Sequence, residues 1–221
     1  MIVYKLTDAD DRTRNDTQWG EGITHTASGN GELCTANWLH CYSDPVLAVL
    51  MDPIHGGYGD NGHLWKCETP DQARQLDDKG TKLGVSSLTT LELIDLPRVT
   101  LEQRIRFAIY CARQVTTNTM WVRWSDEWLR NENRARTNAI GAAIRAAAYA
   151  GSAADAAAYA AYAAAAATED AYTAAYTAAA NVGAADAAVA AAAAGVLDLP
   201  GLAARAIADE RQTSRVEWHT P

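Results

Sequence analysis

Thr100-Leu101-Glu102-Gln103-Arg104-Ile105-Arg106-Phe107-Ala108-Ile109-Tyr110-Cys111-Ala112 is the stretch where the chain changes its hydrophobic period. Thr100 with Gln103 three residues on matches a capping box, and Leu101, Ile105, Ala108, Ile109 and Ala112 then mark one helical face. Upstream the apolar residues alternate in twos. Residues 2–6, 22–26, 63–68 and 88–94 read as strands, the last closed by Leu96-Pro97. Between them Asp44-Pro45, leading into residues 46–51, predicts a short buried helix with Asp44 as N-cap and Pro45 at its first position. Ser28-Gly29-Asn30-Gly31 has turn chemistry, and the charged residues 7–16 read as a loop.

Downstream the chain becomes alanine. From Ala139 to Ala194, 34 of 56 residues are alanine, whereas six of the seven tryptophans precede residue 130. Ser125-Asp126-Glu127 reads as a second helix start. In the alanine region Asp155, Asp170 and Asp186 recur after the breaks Gly151-Ser152, Thr168-Glu169 and Asn181-Val182-Gly183. Carboxylates in a first turn suit the helix dipole, so the spacing predicts three short helices, closed by Gly195 and Pro200, with Ser152 and Asp155 as a capping pair. Tyr159 with Tyr162, and Tyr172 with Tyr176, are expected to fill gaps between alanine faces. The expected fold is α+β: a small mixed sheet module over 1–98, then a helical region over 99–221. That region divides into Trp-rich helices (99–135), an alanine-rich array (136–208) and a tail (209–221).

The formal charge of −8 and pI near 5.1 argue against non-specific nucleic-acid binding, which draws its affinity from Lys and Arg. The local basic run Arg123, Arg130, Arg134, Arg136 and Arg145 reads as a solvated helix face paired with Asp126, Glu127 and Glu132. Residues 1–20 carry no secretory pattern, so Cys34, Cys41, Cys67 and Cys111 are expected as reduced thiols in a cytoplasmic protein. The longest uncharged alanine runs, 156–168 and 171–185, fall short of the roughly 18–20 residues that span a bilayer, so no membrane partner is expected.

Gly57-Tyr58-Gly59-Asp60-Asn61-Gly62 fits G-x-G-x-x-G, but a strand follows it where a dinucleotide site needs a helix. Cys34, His40, Cys41, His55, His63 and Cys67 lack the paired spacing of a zinc site, so no metal and no cofactor are expected. What remains is a polar and aromatic set: Trp19, His25, Trp38, His40, Tyr42, His55, Tyr58 and Glu68. Converged, Trp19, Trp38, His40, Tyr42, His55 and Tyr58 would line a pocket that stacks a planar ligand and bonds its edge. Dispersed, the aromatic residues are the core of a small sheet.

Trp19-Gly20, Thr24-His25, Leu33-Cys34, Trp38-Leu39-His40, Tyr42, Pro45, Pro53-Ile54-His55, Leu64-Trp65, Lys82-x-Gly84 and Leu88-Thr89-Thr90 form an ordered series, continued by the helix from Gln103. The series resembles a family found in bacteriophage and bacterial genomes, with no assigned activity, whose members often carry alanine-rich tails. It covers the chain to about Ala135. The resemblance implies a phage or bacterial cytoplasmic origin and carries no activity over. Together with the acidic charge and the lack of a catalytic signature, that setting leads to the expectation of a non-enzymatic, phage-type binding protein in a bacterial host cell, an accessory or counter-defence factor that engages a host or phage protein or sequesters a nucleotide-like ligand. A second similarity is to ADP-ribosyltransferase-like folds, carried by Thr24-His25, Tyr42-Ser43 before Pro45, and Glu68. It implies a nucleotide-directed transferase or hydrolase in which His25 and Tyr42 bind and Glu68 acts, with His40 beside them. Because alanine helices bury little area, the array is expected to pack on the first module or to form a homodimer.

Overall fold

The computed structural model describes residues 1–148, 151–167, 174–195 and 197–216, with the backbone alone at 174–178 and 210–216. The fold is α+β, with strands in the N-terminal half and helices in the C-terminal half. The chain divides into two compact units, Met1–Arg98 and Val99–Pro221.

The first unit holds β1 (Ile2–Thr7), β2 (Arg12–Thr13), β3 (Thr17–Gln18), β4 (Thr24–Thr26), β5 (Leu39–Cys41), helix α1 (Pro45–His55), β6 (His63–Glu68), β7 (Gln75–Asp77), β8 (Leu83–Val85) and β9 (Ser87–Ile94). Residues 7–16, expected as loop, contain β2, which pairs with β3 just beyond them, and a 3-10 turn over Arg14–Asp16. Every pairing is antiparallel, and the pairings run in a circuit. β1 pairs with β6, β6 with β9, β9 follows β8 across Ser86, β8 pairs with β5, and Tyr42 just past β5 bridges Tyr4 on β1. Each strand of the circuit sends alternate residues to one cluster: Val3, Cys41, Trp65, Cys67, Val85 and Leu88, with Trp19 among them. Helix α1 lies against β1. Asp44 caps α1 by accepting from Val46 N (2.8 Å) and Leu47 N (2.9 Å). The helix runs on past the expected end and through Pro53, so that His55 sits at the helix terminus.

The second unit holds α2 (Leu101–Val115), α3 (Thr119–Leu129), α4 (Arg136–Ala147), α5 (Ser152–Ala166), α6 (Ala174–Ala194) and α7 (Leu199–Val216). Thr100 and Gln103 form the expected capping box on α2. The second helix start lies elsewhere than expected. Asn118 caps α3 by accepting from Trp121 N (3.1 Å), and Ser125 is buried inside the helix, its hydroxyl donating back to Val122 O (2.7 Å).

The alanine region also differs from its reading: between Gly151 and Gly195, where three helices are expected, the described residues form two, α5 and α6. Asn181-Val182-Gly183 does not interrupt α6, because Gly183 packs against Ala163 and the Tyr159 carbonyl, with alanine on both sides to carry the helix through. Asp186 therefore sits mid-helix, and Asp170 lies outside the described residues. Gly151, at φ 106°, caps α5, while Ser152 makes no cap bond. Pro200 falls in the first turn of α7, where its missing N–H is not needed, so it opens a helix instead of closing one. The region expected as a tail is helical to Val216. No helix among the described residues is long and apolar enough to cross a membrane.

The basic run is only partly a solvated face. Arg123 pairs with Glu127 and Arg130 with Glu132, but Asp126 pairs with Arg113, and Arg134 lies 4.1 Å over the Trp128 ring while donating to Glu102 (2.9 Å). Buried Arg106 shares that same carboxylate at 2.7 Å. The two guanidiniums together hold the Glu102 carboxyl below its usual range, against a burial that pushes it up.

Candidate functional site

The face of β5 turned away from the core cluster is built by alternation. Leu39 and Cys41 pack toward the cluster with Leu83 and Val85, so His40, and Gly84 directly across from it, occupy the other side. Gly84 is a close-approach position. A Cβ there would overlap Leu33 Cδ1 and lie 3.1 Å from Trp38 Cβ, so Leu33 and Trp38 seat on bare backbone. Trp38 is buried and donates Nε1–H to Gly31 O (3.2 Å), while His40 Nε2 bonds Leu33 O (2.6 Å).

Tyr42 carries the arrangement to the end of α1. Its hydroxyl is 3.2 Å from His55 Nδ1, and the two rings stack with centroids 6.0 Å apart and planes 29° from parallel. Asp52, one turn earlier on α1, accepts from Tyr58 N (3.1 Å) and Gly59 N (2.9 Å). That folds the glycine segment back so that Tyr58 lies over Gly56. The segment follows a helix and precedes a strand, an arrangement opposite to the one a dinucleotide fingerprint requires.

Lys82, which no sequence pattern singled out as a site residue, completes the group. It is only 9% exposed, it donates from Nζ to Cys34 Sγ (3.2 Å), and no carboxylate stands within ion-pair reach of it among the described residues. Its charge reaches both imidazoles. Burial first, with Lys82 adding to it, pushes His55 down to about 4 and His40 below the usual histidine range. Burial and then the Asp52 carboxylate push the Tyr42 and Tyr58 phenols up.

Five of the six expected ligand residues thus share one neighbourhood: Trp38, His40, Tyr42, His55 and Tyr58. Trp19 does not join them. It is a core residue of the strand circuit, donating Nε1–H to Thr13 Oγ1 (2.9 Å) beneath the Lys5 ammonium. His25 packs edge-on to Trp19 at 4.6 Å and bonds Gln18 O (2.8 Å). The ADP-ribosyltransferase-like set of His25, Tyr42 and Glu68 is not assembled. His25 stands opposite Leu88 and Glu68 opposite Thr89, adjacent residues of one strand, so the two side chains point to opposite faces of the sheet. Comparison with protein-family models, with curated proteins and with solved structures finds no match to this chain.

Proposed function

We propose that the protein is a binding protein that holds a small, nucleotide-like anionic ligand on the face formed by Lys82, His40, Tyr42, His55 and Tyr58. The observation that carries this reading is Lys82, a largely buried side chain whose ammonium meets the Cys34 thiol and has no carboxylate partner among the described residues. A phosphate would supply the missing counter-charge. The stacked Tyr42–His55 pair offers aromatic surface and edge groups to a planar base. Binding is favoured over turnover because proton transfer near neutral pH needs groups that titrate there. Here His40 and His55 are driven down, the phenols up, and the Cys41 and Cys67 thiols up to about 12. Lys5 is brought toward neutrality, but its ammonium is enclosed between the Trp19 ring and the His40 carbonyl. The bacteriophage setting implied by the sequence resemblance fits an accessory or counter-defence factor that sequesters such a ligand in a bacterial host cell.

The test is a thermal-shift screen against nucleotides, cyclic dinucleotides and NAD-related compounds, followed by chromatography of the bound compound. One class should raise the melting temperature by several degrees and be recovered unchanged. The shift should vanish in Lys82→Gln. Chemical conversion of the ligand, or an undiminished shift in Lys82→Gln, defeats the proposal.

A further inference from the structure

Cys34 and Lys82 are 48 residues apart in the chain, and the pairing of β5 with β8 brings them together. Lys82 stands immediately before β8, its carbonyl accepting from Asp78 N (3.0 Å) while Thr81 N turns back onto Asp78 O (2.9 Å). Leu33, next to Cys34, is seated on the bare backbone of Gly84, two residues beyond Lys82. The Leu33 carbonyl accepts from Thr35 N (2.8 Å) and bonds the His40 ring (2.6 Å). Both positions are thus set by backbone contacts, and the Lys82 ammonium points at Cys34 Sγ, 3.2 Å away.

Two features make this contact more than a lone thiol. Lys82 is only 9% exposed, and Cys34 Sγ stands where its ammonium would otherwise meet a carboxylate. Cys34 is itself exposed, whereas Cys41, Cys67 and Cys111 are buried. The sulfur therefore meets small oxidants from solvent on one side and the Lys82 nitrogen on the other. A sulfenic acid condenses with a thiol or with a nitrogen, and no second exposed thiol of the chain competes with Lys82 here.

We propose that Cys34 and Lys82 form a peroxide-responsive crosslinking site. The Cys34 thiolate attacks hydrogen peroxide: an S–O bond forms, the O–O bond breaks, and the leaving hydroxide takes a proton from the Lys82 ammonium to become water. The sulfur is oxidised to a sulfenic acid, the peroxide is reduced, and Lys82 is left as a neutral amine. Its nitrogen then attacks the sulfur. An S–N bond forms, the S–O bond breaks, and the hydroxide leaves with the amine proton as water. The product is a sulfenamide, which an added thiol reduces back to the free pair. Its formation removes the Lys82 positive charge, so oxidation switches off anion binding on this face. That consequence rests on the ligand reading above, and the crosslink itself does not.

Mass spectrometry of the full chain after hydrogen peroxide, with and without dithiothreitol, decides the matter. The wild type should lose about 2 Da and regain it with dithiothreitol. Trypsin should no longer cut after Lys82, and the peptides carrying residues 34 and 82 should appear as one linked species. Lys82→Arg keeps the charge but lacks the nucleophilic amine, so it should stop at a sulfenic acid, about 16 Da heavier, that dimedone traps. Cys34→Ser, at an exposed position, should show neither change. A wild-type mass that stays constant, that rises without the crosslink, or that falls equally in Lys82→Arg, as a disulfide would make it, overturns the proposal. If the crosslink forms and no compound of the nucleotide screen stabilises the reduced protein, the ligand reading fails and the crosslinking site stands.

Discussion

Tyr42 and His55 form a neutral pair: a phenol held protonated and an imidazole held unprotonated, 3.2 Å apart and stacked at the C-terminal end of α1. With its pKa pushed down to about 4, the ring keeps Nδ1 free to accept from the hydroxyl at neutral pH. The pair therefore depends on pH in a direction that can be worked out.

In the unfolded chain His55 titrates near 6.5, and in the folded chain near 4. Between those values the unfolded state binds more protons, so its contribution to stability is complete above pH 6.5 and is lost as the pH falls toward 4. From pH 7 to pH 5 the loss is about 2 kcal/mol. Urea denaturation of the wild type and His55→Asn at both values should show the wild type losing that much more than the variant. Equal losses would mean that His55 is solvated in the folded state.

Lys5 runs on a different part of the scale. It is 6% exposed, and burial lowers its pKa from 10.5 to about 8, against the raising effect of the Cys41 and Cys67 thiols. The unfolded state binds more protons between 8 and 10.5, so the penalty for enclosing the charged amine is fully present below pH 8 and is relieved as the pH rises toward 10.5. Relative to Lys5→Met, the wild type should gain about 2–3 kcal/mol between pH 7 and pH 10. Parallel stability curves for the two proteins would show that the folded chain already stabilises the charged amine as well as water does.

Gly84→Ala tests the seat of Trp38. The added methyl overlaps Leu33 Cδ1 and approaches Trp38 Cβ, so both must shift or the β5–β8 pairing must open. A loss of about 1–3 kcal/mol is expected, together with a change in near-ultraviolet circular dichroism from the displaced indole. Loss of stability without a spectral change would place the strain at Leu33 instead.

These substitutions also mark how far the sequence could be read. Asp44-Pro45 and the Thr100/Gln103 pair announce their helices because cap and start are adjacent in the chain, and the alternation at 2–6 and 63–68 is long enough to register. The three-residue strands β5, β7 and β8 carry too few residues for a period, and β8 has glycine at its centre. With β5 and β8 unseen, nothing brought Lys82 near His40. Trp19 and Trp38 look alike in sequence; only the circuit of pairings puts the first in the core and the second over Gly84. In the alanine region, breaks were inferred from Gly183 and Pro200, yet the first is accommodated by close packing and the second by its place in a first turn.

The tyrosines of α5 give the last prediction. Alanine buries nearly the whole surface of this helix, and the residues left exposed, Asp155, Tyr159 and Tyr162, fall on a single stripe. Tyr159 is 41% and Tyr162 47% exposed, contrary to the expectation that they fill gaps, while Tyr172 and the Tyr176 side chain lie outside the described residues. α6 likewise exposes Val182 and Val189. Between Arg145 and Arg205 the chain has no lysine or arginine, so this surface lacks the cations that commonly keep apolar faces apart. A second copy of the chain, presenting the same stripe of tyrosine between alanines, can approach closely and self-complement across a two-fold axis. The wild type is therefore expected to sediment as a homodimer at micromolar concentration, and Tyr159→Glu with Tyr162→Glu as a monomer of unchanged helix content. Substitution on α5 reaches solvent and not the core, so a fall in helicity would contradict the exposed placement of the two rings. A wild type that stays monomeric at every concentration would exclude the self-contact and turn the same stripe into the first surface to probe for a host or phage protein.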